Sequence, residues 1–323
     1  METDRLNSPS TSLISFEVLG HQLQFSQDPN SKHLGTTVWD TSMVFAKFLE
    51  KNCRKGRFCP SKLKRRRVIE LGAGCGVAGF GMALLGCDVV STDQIEIVPL
   101  LRRNVERNIS RIMQMNSNSD SFGSIQVAEL DWGNEDHIKA VAPPFDYIIG
   151  TDVVYAEHLL GPLLQTIIAL SGPKTTIMLG HEIRSTSVHE QMLQTLKDLF
   201  EVKIVPKAKM DSMYQHPSIQ IFIMGLKPPA VTAEKAANAV SPDKLDNKTQ
   251  GIHQQVNEVE TSKTDPEKEE NCGSSTVVDD LDGEIIKEDY LPLTRLPDGK
   301  LNDWEARRYG SMAARLLQDI KIT

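Results

Sequence analysis

Apolar residues recur along this chain with two periods, and the periods alternate. Arg67-Val-Ile-Glu-Leu71 reads as a buried strand, Gly72-Ala-Gly-Cys-Gly76 as a turn, the next apolar stretch as a helix, and a second apolar run closes on Asp93. Together they predict one β-α-β unit. Ile97, Leu101 and Val105 then return at helical spacing, and Pro99 fits a helix only in its first turn, so a helix starts close to Pro99. Strands are predicted at Ile125 to Leu130, Phe145 to Gly150, Thr175 to Leu179, Val202 to Val205 and Ile219 to Met224, with helices near Leu159 to Leu170 and at Val188 to Leu199. Strands alternating with helices predict an α/β, doubly wound sheet, and two closing strands with little helix between them predict a terminal hairpin.

Upstream, residues 13 to 25 alternate strictly, with Ile14, Phe16 and Val18 on one face and Leu23 and Phe25 after a turn near Gly20. This predicts an N-terminal hairpin. A helix follows from about Thr41 to Lys51, directed inward by Val44, Phe45 and Phe48. Trp39, just before it, reads either as a core anchor or as a wall against a cofactor.

Composition adds a boundary and several exclusions. Of the chain's 323 residues, those from Val231 to Tyr290 hold 15 Asp plus Glu against 6 Lys, a net of -9, so the remainder carries +2 of the total of -7. With no aromatic residue between Ile223 and Asp289, that stretch is expected to be an acidic disordered linker. The expected organisation is therefore a flexible N-terminus (1–12), one catalytic domain (13–225), the linker (226–290) and a C-terminal amphipathic segment (291–323), where Trp304, Met312, Leu316 and Ile320 fall at multiples of four. An acidic chain offers no broad cationic field for nucleic acid, and no run is long and apolar enough for a membrane span. The expectation is an intracellular, cytoplasmic monomer. Lys62-Leu-Lys-Arg-Arg-Arg67 is a solvated loop or, alternatively, a nuclear localisation signal. The five cysteines lack C-x-x-C pairing and read as reduced thiols; the histidines show no ligand spacing, and no metal site is expected.

The glycine turn carries the first chemistry. G-x-G-x-x-G would require glycine at position 77, where Val77 stands, so the match is to G-x-G-x-G, typical of S-adenosylmethionine sites; a purely structural tight turn is the alternative. Asp93, at the end of the second strand, is placed to accept hydrogen bonds from ribose hydroxyls. Asp152 and Tyr155 lie three apart just past a buried strand, where Asp152 reads as a lysine-binding carboxylate or a helix cap and Tyr155 as a channel wall or a core contact. His181-Glu182-Ile-Arg184 reaches the same rim, with Glu182 a possible contact for a substrate lysine and Arg184 a holder of a nearby loop.

Five motifs in order, Gly35-x-x-Val-Trp-Asp40, Glu70-Leu-Gly-Ala-Gly-Cys-Gly76, Thr92-Asp93 with Asn104-Val-Glu-Arg-Asn108, Leu130-Asp-Trp-Gly133 and Asp152-Val-Val-Tyr155, resemble the seven-strand protein-lysine methyltransferases of the methyltransferase-like 21 group, or methyltransferase family 16. The resemblance spans roughly residues 13 to 225 and implies a seven-stranded, Rossmann-like class I methyltransferase sheet with S-adenosylmethionine as cofactor. It implies that Gly72, Ala73 and Gly74 admit the methionine part, Asp93 binds the ribose, Trp132 flanks the adenine, Trp39 closes the cofactor site, Thr151 stands where the family often has alanine beside the cofactor, and Asp152 and Tyr155 line the lysine channel. The implied substrates are proteins, among them chaperones, elongation factors and ATPases. A protein-histidine or small-molecule methyltransferase and a non-catalytic interaction module are the alternatives on the same fold.

Overall fold

The computed structural model describes residues 12–115, 121–227 and 308. The expected flexible start, the acidic linker and all of the C-terminal segment but Arg308 lie outside the described residues.

The first two strands, β1 (Leu13–Val18) and β2 (His21–Ser26), form the predicted hairpin, reversed through Leu19 and Gly20, both with positive φ. Its five inward residues, Ile14, Phe16, Val18, Leu23 and Phe25, are at most 1% exposed, each contributing about 1.5–3 kcal/mol relative to an exposed position. Helix α1 (Asp40–Asn52) follows, then the short α2 (Pro60–Leu63), and the β-α-β unit is β3 (Arg67–Leu71), α3 (Val77–Leu84) and β4 (Asp88–Asp93). Beyond it run α4 (Val98–Met115), β5 (Ser124–Glu129), α5 (Glu135–Ala140), β6 (Phe145–Thr151), α6 (Glu157–Leu170), β7 (Ser171–Glu182), α7 (Thr186–Leu199), β8 (Phe200–Ile204) and β9 (Ile219–Leu226).

Seven strands make one sheet in the order β5-β4-β3-β6-β7-β9-β8, the first five parallel and β9 antiparallel to both neighbours. The order reverses at β3, and open sheets of this kind bind ligands at the carboxyl ends of the strands beside that reversal. The closing hairpin exists, but β9 is inserted between β7 and β8, which strand propensities alone do not reveal. Helix α5 was not anticipated either; six residues are too few to show a period, and its signal is the cap, Asn134, whose side chain accepts from the amides of Asp136 and His137.

The asparagines of Asn104-Val-Glu-Arg-Asn108 have a structural use. Both are fully buried on α4, one turn apart, and each side-chain amide pairs with one residue of β2: Asn104 with the N–H and C=O of Ser26, Asn108 with those of Gln24, at 2.8–2.9 Å. They satisfy the backbone of an edge strand as another strand would.

Glu70 is the other buried polar element of the frame. Its carboxylate accepts the amide of Gly79 at 3.0 Å and the hydroxyl of Ser91 at 2.6 Å, so it caps the start of α3, where Gly76 has no side chain to do so. A Cβ on Gly79 would collide with that carboxylate, which explains a glycine inside a helix. Burial raises the Glu70 carboxyl from its ordinary 4.5 to about 7. The folded state therefore holds a proton that the unfolded chain has released between those values, and the associated stability, full below 4.5, is lost as pH rises through about 7. Glu70→Gln, which keeps an acceptor and does not titrate, is expected to gain about 1–3 kcal/mol on the parent between pH 5 and pH 8, measured by urea unfolding at both.

Candidate active site

A cavity of about 660 Å³ opens where β3, β4 and β6 end, a size within the range of small-molecule sites. Trp39, Gly72, Ala73, Gly74, Asp93, Trp132, Thr151, Asp152 and Tyr155 all lie on its wall. Sequence separations of up to 116 positions, from 39 to 155, are closed by the fold.

One side of the cavity is the turn after β3. Gly72, Gly74 and Gly76 all have positive φ, and at Gly74 the requirement is twofold: φ is +56° and an added Cβ would stand 2.9 Å from the carbonyl oxygen of Gly35. The Gly35-x-x-Val-Trp-Asp40 motif thus lies directly on the glycine turn. The amide of Gly74 donates to Asp93 Oδ2 at 2.7 Å, and that of Gln94 to Oδ1 at 2.8 Å. Burial raises the Asp93 carboxyl while these two donors oppose the rise. Each oxygen keeps a lone pair for a further donor. A Cβ at Gly72 would stand 2.9 Å from the Val153 side chain and 3.2 Å from the Trp132 ring, so glycine lets the turn pack directly against both.

The opposite wall is electrostatic. Asp152, a non-glycine residue with φ of 62°, turns the chain sharply after β6. Its carboxylate is buried and receives both arms of the Arg184 guanidinium, together with the amide of Glu182 at 3.1 Å. Burial raises the Asp152 carboxyl, and Arg184 opposes that shift. Burial also disfavours the charge on Arg184, but Asp152 and Glu182 outweigh it and hold the guanidinium protonated. Arg184 lies 5.0 Å over the Trp39 ring, and Trp39 is fixed in turn by its indole N–H to the carbonyl of Leu34 at 2.9 Å. Tyr155 is half exposed at the rim, with burial of its ring side raising the phenol.

Three expectations change. Asp152 caps no helix: α6 begins at Glu157 after Ala156, and the carboxylate points to Arg184 instead. Glu182 does not face a substrate lysine; it is 4% exposed, and Arg184 takes its Oε2 at 2.8 Å while Arg308 takes its Oε1 at 2.9 Å. Arg184 does more than hold a loop, since it links Asp152, Glu182 and Trp39, a role whose only sequence signal was its position past a core strand. In the basic run, Arg66 pairs with Asp146 and Arg67 donates to the carbonyls of Ala142 and Pro144, so two of its cations serve the fold. At the edge of the cavity, which Asp131 lines, Glu129, Asp131 and His137 come within 4.8 Å of one another without any spacing that announced it, and His137 Nδ1 there accepts the Asp131 amide.

A family described as "Lysine methyltransferase" matches residues 18–199. The protein N-lysine methyltransferase METTL21A of Danio rerio is 35% identical over 190 residues, 59% of this chain and 79% of that protein. METTL21A of Xenopus tropicalis is 31% identical over 188 residues (58% and 79%), and the protein-lysine methyltransferase METTL21E of Bos taurus is 31% identical over 195 (59% and 62%). Among solved structures, a Thermus thermophilus 16S rRNA N2 G1207 methyltransferase in complex with AdoMet and guanosine aligns with a TM-score of 0.45 at 17% identity, over 67% of this chain and 51% of that one.

Proposed function

This chain belongs to the lysine methyltransferase family, and from that premise we propose that its cavity holds S-adenosylmethionine against the turn after β3 and admits a protein lysine past Asp152 and Tyr155. The activity is S-adenosylmethionine-dependent N-methylation of protein lysine side chains. When bound, the cofactor supplies a methyl group already activated on a sulfonium, so the protein's contribution is alignment and charge.

The residues fit such a group. Glycines at 72 and 74 keep the turn backbone bare where it lines the cavity beside Gly35, Trp132 and Val153, Asp93 offers an oxygen pair to vicinal hydroxyls, and Trp132 offers an aromatic face to a purine. Trp39 closes the site from the α1 side and Thr151 lines it at the end of β6.

A lysine attacks only as the neutral amine, and the cavity wall prepares it. The Asp152–Arg184–Glu182 group, with each member ionised, sums to -1, which attracts an ammonium to the cavity without fixing it in one ion pair. Because both oxygens of Asp152 are engaged by Arg184, the ammonium loses its proton to water rather than to Asp152. Tyr155 lines the channel beside the attacking nitrogen and limits its approach. The resemblance supports a chaperone, an elongation factor or an ATPase as the protein that carries the lysine.

The observation that carries this reading is the convergence of the glycine turn, Asp93 and the Asp152–Tyr155 pair on one cavity. Calorimetry of the purified chain with S-adenosylmethionine, followed by incubation of chain, methyl-labelled cofactor and protein extract, tests it. Heat of association and label recovered as methyllysine after hydrolysis are expected. No heat, or label confined to histidine or small molecules, overturns it.

A further inference from the structure

Two arginines and three carboxylates form one connected group beneath the active site, and one member comes from outside the family-matched region. Arg308, helical and 5% exposed, donates to Asp40 Oδ2 at 3.0 Å, to Glu182 Oε1 at 2.9 Å and to Ser218 Oγ at 3.4 Å. Glu182 passes its other oxygen to Arg184, and Arg184 holds Asp152 on the cavity wall. Asp40, Glu182 and Arg308 are not among the cavity's lining residues, whereas Arg184 and Asp152 are. We propose that Arg308 is a positioning residue for methyl transfer: by clamping Glu182 between α1 and β9, it leaves the Arg184 guanidinium in register with Asp152.

The electrostatics require a second cation. Asp40, Asp152 and Glu182 are 1%, 8% and 4% exposed, and removing Arg308 takes one of the two positive charges from the group, which falls from -1 to -2. An uncompensated buried carboxylate is costly, and the cheapest relief is for Arg184 to turn from Asp152 toward Glu182. That movement disorders the wall the lysine passes, while Trp39 keeps its hydrogen bond to Leu34 and the glycine turn and Asp93 are untouched. The sequence carries the signal: position 308 falls on the four-residue ladder of Trp304, Met312, Leu316 and Ile320, an arginine among apolar residues.

The inference rests on the proposed activity, so the parent chain is measured first. If the parent binds S-adenosylmethionine and labels extract protein, Arg308→Met is expected to keep cofactor affinity within about twofold and to lower the rate of label transfer at least tenfold. Arg308→Lys, which restores a cation but not the fork, is expected to recover most of that loss; a purely space-filling role would be met equally well by Met. Should Arg308→Met fail to fold, Asp40→Asn with Arg308→Met restores the charge of -1 while leaving Glu182 unclamped, and transfer is expected to stay at least tenfold below the parent. Parental transfer in Arg308→Met or in the double variant, or a loss in Arg308→Met that Lys does not relieve, overturns the proposal. A parent that transfers no label to protein overturns the activity itself.

Discussion

Gly74→Val is expected to abolish cofactor binding, with no heat of association where the parent gives an isotherm and a far-ultraviolet circular dichroism spectrum close to that of the parent. The residue adopts φ of +56°, which costs a β-branched side chain well over 1 kcal/mol, and its first side-chain carbon would sit 2.9 Å from the Gly35 carbonyl oxygen. Neither neighbour yields cheaply, because Gly35 is itself backed by the Ile97 side chain and the Gly74 amide is tied to Asp93. The turn must therefore move, and with it the carboxylate assigned to the ribose. Two contacts fail together, and a loss of at least a hundredfold in affinity corresponds to about 3 kcal/mol. Parental affinity in this variant would remove the glycine turn from the binding site.

Asp152→Asn is expected to lower the rate of transfer about a hundredfold, about 2.7 kcal/mol in barrier, while cofactor affinity changes less than threefold. Asparagine tolerates the left-handed backbone at position 152 and can still accept from Arg184 and the Glu182 amide, so the fold is kept. What disappears is one negative charge. The group beneath the cavity goes from -1 to neutral, and the ammonium of the incoming lysine meets Arg184 without a balancing carboxylate on the wall. Full activity in Asp152→Asn, or in Asp152→Ala, at saturating substrate would take Asp152 out of the mechanism.

The frame was legible because its signals are local. Val68 to Leu71 and Val89 to Asp93 announce a buried β-α-β unit by period alone, and five motifs bring the cavity residues with them. What could not be read is what partners across space. Nothing around Asn104 and Asn108 says that they pair with Ser26 and Gln24, 78 and 84 positions away. Glu182 reads in sequence as a contact for a substrate lysine, and its burial follows from two arginines, one of them 126 residues downstream. Nor does the sequence show why glycine stands at position 79 inside a helix: the Glu70 carboxylate occupies the space a methyl group would take.

The position of β9 sets the order in which this molecule can be completed as it is made. Strand β8 pairs with β9 and not with β7, so a nascent chain ending before Ile219 has one strand without a neighbour and another with a bare edge. The sheet closes only once Leu226 has cleared the ribosome. Until then the exposed margin of β7 is open to any extended peptide, and the growing polypeptide depends on protection from its surroundings.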